Sequence, residues 1–117
     1  MKEKKKKISL DFENHRLEVI VRQCNFFERF LGLMFTRRKN AEALLFEFNQ
    51  PTSIRIHSFF VFFPFIAIWL DEKDKIINVE KVNPFKLDIK GPRNFKKLLE
   101  IPLNKKYSKE FSFVVDN

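Results

Sequence analysis

Two glycines in 117 residues leave little material for a glycine-rich phosphate loop, which disfavours the usual nucleotide-dependent enzymes. One cysteine, Cys24, cannot form an intramolecular disulfide. With only two histidines the chain also lacks zinc-ligand spacing, and its scattered Asp and Glu make no calcium loop. No metal or cofactor is expected. No apolar stretch follows the N-terminal lysines, so a signal peptide is not expected, and the chain reads as a resident of the reducing cytoplasm. The longest apolar run, Ser58–Leu70, is interrupted by Pro64 and is shorter than the roughly 20 residues a spanning helix needs, so no membrane span is expected.

What the chain has is phenylalanine and lysine. Sixteen Phe and a hydrophobic content of 44% are ample for a core, and the length suits one domain. The formal net charge is +8, half of it in residues 1–7. That run of like charges repels itself and reads as a disordered basic tail, leaving 8–117 as a single β-rich domain. A second basic stretch contains Lys86, Lys90, Arg93, Lys96, Lys97, Lys105, Lys106 and Lys109.

Period-two alternation at Ile8, Leu10, Phe12 and at Leu17, Val19, Val21, around the turn-prone Asn14-His15, reads as an opening hairpin. Phe26, Phe27, Phe30, Leu31 and Met34 then recur at helical spacing after a capping residue, Asn25, which predicts one short helix over about 26–35. Strand-like runs follow at 43–48, 54–60, 63–70, 75–82, 95–101 and 110–115, with the turn Asp71-Glu72-Lys73-Asp74 between two of them. The expectation is a mainly β fold, a compact sandwich or squat barrel of about seven to nine short strands with that helix packed on it.

The stretch Phe27-Glu28-Arg29-Phe30-Leu31-Gly32-Leu33-Met34-Phe35, followed by Leu44-Leu45-Phe46-Glu47-Phe48, resembles the signature of domain-of-unknown-function family 192. Ile56–Asp71, Pro84-Phe85-Lys86 and Leu98-Leu99-Glu100-Ile101-Pro102 continue the resemblance in order, in the manner of a divergent archaeal-type member. The resemblance implies a compact β fold with a short helix and carries no established activity or ligand. Where the family has Met, Arg and Asp in its central segment, this chain has Val61, Phe62 and Ile66. Joint loss of the two charges suggests that Phe62 and Ile66 fill the space of a former ion pair, since removing both members of such a pair can be nearly neutral.

Candidate chemistry is sparse. His57-Ser58 lacks the orienting carboxylate and oxyanion site of a triad, and adjacent strand residues point to opposite faces. Glu100 stands in an otherwise apolar strand, where a carboxylate needs a partner or an outward-facing position. Met34, His57, Ser58 and Glu100 together make a candidate cleft for a small-molecule binder or hydrolase, and Glu47 with Glu100 could form a carboxylate pair. The basic stretch, with Phe85, Phe95 and Tyr107 interleaved, could bind a nucleic acid or other polyanion without sequence preference. Exposed Phe could also meet a protein partner. The expectation is a small binding or structural domain rather than an enzyme, with its ligand unassigned.

Overall fold

The computed structural model describes residues 5–12, 15–24, 33, 37–56, 58, 61–86 and 88–109. They form a mainly β fold, a six-stranded sheet curled into a half-barrel. In chain order the strands are β1 (Lys5–Phe12), β2 (His15–Gln23), β3 (Leu44–Thr52), β4 (Phe65–Leu70), β5 (Ile76–Val82) and β6 (Phe95–Pro102). They lie side by side as β1-β2-β3-β6-β4-β5. Only β2 and β3 run parallel; every other neighbouring pair is antiparallel.

Burial follows the alternation of the sequence. Along β2 the inward Leu17, Val19 and Val21 are buried, while the intervening Ile20 is exposed. β4 and β6 are central, and all six residues of β4, Phe65-Ile66-Ala67-Ile68-Trp69-Leu70, are buried, the pattern of a strand covered on both faces. Two apolar clusters result. One fills the inside of the curl with Ile8 and Leu10, Leu17, Val19 and Val21 of β2, Leu45, Ile66, Ile68, Leu99 and Ile101. The other lies on the opposite face, where Leu44, Phe46, Phe65, Ala67, Trp69 and Leu98 are covered by Leu33, Ala41, Val61, Phe63 and Ile89 from the connections. Each large side chain so enclosed contributes roughly 1.5–3 kcal/mol.

Turns and irregularities explain where strands stop. Asp71 Oδ1 accepts from the Lys73 and Lys75 amides at 2.8 and 2.9 Å, clamping the β4–β5 turn, and these bonds, with that from Lys75 foremost, hold its carboxyl below the ordinary range. Pro51, which has no amide hydrogen, falls in the irregular stretch where the β3–β6 register shifts between Glu47 and Thr52. Gly91 is required by packing: a Cβ there would meet the Trp69 indole, with Cε2 at 2.5 Å and Cζ2 at 2.9 Å.

The opening hairpin, the β3 and β4 runs, the Asp71–Asp74 turn, β5 and β6 stand where the alternation, the strand-like runs and the turn residues placed them. Strand β1 reaches further back than expected. Lys5, Lys6 and Lys7 of the expected basic tail belong to it and face Glu42, Glu47 and Glu18 at 3.4, 3.3 and 3.0 Å, while residues 1–4 of that tail lie outside the described residues. Of the expected run 54–60, Ile56 makes a single bridge to Ile89 and no strand forms among its described residues. The helix expected over 26–35 and the strand over 110–115 lie outside the described residues, Leu33 excepted. Among the described residues no helix is long and apolar enough to cross a membrane.

Candidate anion-binding rim

One register row organises the site. Val82 of β5, Phe65 of β4 and Pro102 of β6 stand side by side across three adjacent strands, about 10 Å from first to last. Beyond this row the chain emerges at one end of the half-barrel. Phe62 lies three residues before it on the β4 side, Phe85 three residues after it beyond the end of β5, and Lys105 three residues after it beyond the end of β6. Leu44 at the start of β3 pairs with Glu100, so the residues preceding β3 arrive at the same end.

Two short 3-10 turns meet there, Arg38–Asn40 before β3 and Lys105–Tyr107 after β6. Their union is built from side-chain to backbone bonds. Arg38 Nε donates to the Leu103 carbonyl at 2.6 Å, and Asn104 Nδ2 donates to the Arg38 and Ala41 carbonyls at 2.8 and 3.0 Å. The buried Tyr107 hydroxyl accepts from the Ala43 amide at 2.7 Å and anchors the second turn into the inner cluster. Leu103 in turn donates its amide to the Pro64 carbonyl at 3.0 Å, which ties the corner to the entry of β4.

The consequence is electrostatic. Arg37, Arg38, Lys39, Lys105 and Lys106 are all exposed at this corner, and among the described residues no carboxylate pairs with any of them. The nearby Glu42 is engaged by Lys5. Lys86, also exposed, follows Phe85 at the same end. The sequence suggested Lys105 and Lys106 but missed Arg37–Lys39, because these lie far away in the chain and only the bonds through Leu103 and Asn104 join them.

The other basic residues of the expected patch are distributed differently. Lys97 is nearly buried and pairs with Asp74 at 2.6 Å and with Glu47 at 3.9 Å. Lys96 donates to the Asn49 carbonyl at 2.6 Å. Lys90 and Arg93 are exposed beside Gly91, which rests on Trp69 further down the sheet, and Lys109 is exposed just after the second turn. Of the aromatic residues expected to accompany the patch, Phe95 and Tyr107 are core residues, whereas Phe85 is exposed.

Of the candidate cleft, His57 and Met34 lie outside the described residues. Ser58 is fully buried and bound on all sides. Its hydroxyl donates to the Asn83 carbonyl and accepts from the Lys86 amide, both at 2.8 Å, while its own amide and carbonyl bond Lys86 and Phe85 at 2.7 and 2.8 Å. Such a hydroxyl clamps the loop after β5 and offers no proton to a base. Glu100 does not face outward: β6 is central, and its side chain lies with Leu44, Ala67 and Leu98 under the outer cluster. Burial pushes its carboxyl up to about 8, so it is mainly neutral at pH 7. Among the described residues no hydrogen bond joins it to Ser58.

The pairing of Glu47 with Glu100 is overturned by register. Glu47 stands opposite Lys97 and Glu100 opposite Leu44, three residues apart on β6, so the two carboxyls take opposite faces. Burial raises the Glu47 carboxyl, but the Gln23 hydrogen bond at 2.8 Å and the Lys6 and Lys97 charges outweigh it and hold the group ionised. Phe62 and Ile66 likewise do not share one space: Phe62 is 59% exposed against Phe85, and Ile66 is buried in the inner cluster.

Comparison with known proteins agrees with this fold. The DUF192 family profile (Uncharacterized ACR) matches residues 7–110. A candidate transcription regulator from Sinorhizobium meliloti 1021 superposes with a TM-score of 0.77 at 18% identity, over 87% of this chain and 83% of that one. A protein of unknown function from Novosphingobium aromaticivorans DSM 12444 gives a TM-score of 0.73 at 16% identity, over 90% and 77%. At these identities the likeness concerns the fold alone. A comparison with curated proteins finds no match.

Proposed function

The chain belongs to this family, whose function is uncharacterised, and we propose that this member is a non-enzymatic module that binds a phosphate-rich polymer at the rim. One observation carries the reading. Five exposed cations from two chain segments are fastened into one corner by Arg38, Leu103 and Asn104, with no described carboxylate to neutralise them. Cations left unpaired in this way gain by displacing the counterions of a polyanion, and the affinity falls with salt in proportion to the phosphates engaged. A reducing cytoplasm is part of the same reading. Ser58, tied to the loop after β5, supports binding rather than hydrolysis.

The test is titration with long-chain inorganic polyphosphate by calorimetry between about 50 and 200 mM salt. Wild-type protein is expected to bind with an affinity that drops steeply across this range. The variant R37A/K39A/K105A/K106A, which spares the structural Arg38, should lose binding, while K90A/R93A should retain it. Absence of binding at low salt, or equal loss in both variants, would overturn the reading.

A further inference from the structure

The exposed pair Phe62 and Phe85 is built with more care than a stray apolar contact. Their rings meet edge to face, centroids 5.5 Å apart at 75°, yet each remains more than half exposed. Phe85 adopts φ 63°, a left-handed conformation uncommon for a bulky residue and one that costs free energy. What sustains it is Ser58. The Ser58 carbonyl accepts the Phe85 amide, its hydroxyl accepts the Lys86 amide, and its amide donates back to the Lys86 carbonyl. A fully buried serine thus ties its hydroxyl, its amide and, besides the Val61 amide, its carbonyl to a loop whose outcome is an aromatic ring held out toward solvent, followed directly by the exposed Lys86. Strain that the surroundings enforce in this way marks sites of function more often than accidents of folding.

Position supplies the second argument. Phe62 and Phe85 flank the Val82–Phe65–Pro102 row from which the cationic turn Lys105–Tyr107 also emerges, and Leu103 binds Pro64 on one side and Arg38 on the other. Aromatic faces beside a cationic track are the arrangement by which proteins hold unpaired nucleotides: cations follow the phosphates, and bases stack on the rings without regard to sequence. A duplex, whose bases are already stacked, has no such use for the rings. We propose that the polymer at the rim is a single-stranded nucleic acid, with Phe62 and Phe85 as its base-stacking platform. This rests on the anionic-ligand reading above and adds the bases to it.

The experiment compares a fluorescein-labelled oligodeoxythymidine with an abasic strand of equal length and charge, by anisotropy, alongside polyphosphate. Wild-type protein is expected to bind the thymidine strand about tenfold or more tighter than the abasic strand. In F62A/F85G that gap should close while polyphosphate affinity is unchanged; glycine accepts the left-handed conformation at position 85, so the loop keeps its path. Equal binding of both strands by the wild type, or a gap that survives F62A/F85G, would overturn the stacking platform and leave the polyphosphate result standing. Thymidine binding without polyphosphate binding would instead sink the anionic reading. Self-association abolished by F62A/F85G, with no gap between strands, would assign the pair to a second copy of the chain and also overturn the platform.

Discussion

The two ends of the half-barrel treat their charges in opposite ways. At the end where β4 turns into β5, carboxylates are supplied and used: Asp74 and Glu47 hold Lys97, and Asp71 clamps its own turn. At the other end, Arg37, Arg38, Lys39, Lys105 and Lys106 crowd two short turns with no described carboxylate among them, and the carboxyl just inside the rim, Glu100, is buried and mostly neutral. A protein stabilised by surface ion pairs alone gains nothing from the second arrangement. Lys97 is paired and nearly buried, whereas the cations of the corner are exposed, clustered and fastened through backbone carbonyls.

The largest test of this contrast concerns Glu100. Its carboxyl ionises near 4.5 in the unfolded chain and at about 8 in the folded one, so between these values the folded state holds the extra proton. The contribution of this group to stability is fully present below about pH 4.5 and is lost as pH rises to about 8, by up to a few kcal/mol. Urea denaturation at a series of pH values should show this decline in the wild type and its absence in Glu100→Gln. A decline of equal size in the variant would mean that Glu100 is not the group responsible.

Next in size is Gly91→Ala, which sets a methyl group against the Trp69 indole at the packed end. The ring is fully buried and cannot swing away, so the cost should be about 1–3 kcal/mol, read as a lower denaturation midpoint. An unchanged midpoint would show that this end is looser than its packing indicates. The smallest effect sharpens the comparison most directly. Lys97→Met should cost on the order of 1 kcal/mol by removing the close partner of Asp74, Glu47 keeping Gln23 and Lys6, whereas Lys105→Met should stay within about 0.5 kcal/mol. Equal costs would erase the distinction between the two ends.

Much of the sheet was legible beforehand because period-two alternation is a local signal. Ile8–Leu10, Leu17–Val21 and the Asp71 turn declare their structure within a few residues. The site was legible only in fragments. Lys105 and Lys106 were visible as charges, but so were Lys96 and Lys97, which the fold uses up on Asn49, Asp74 and Glu47. Phe85 could not be told from Phe95 or Tyr107, since exposure of an aromatic ring depends on what lies over it.

By itself the sequence determined the strand runs, the absence of a glycine-rich phosphate loop and the excess of positive charge, all properties of neighbouring residues or of bulk composition. Tertiary structure alone decided that Arg37–Lys39 join Lys105–Lys106, that Glu100 is buried and that Phe62 meets Phe85. The reason is physical: pairing, burial and juxtaposition are set by strand order and register, which bring together residues that the linear chain holds far apart.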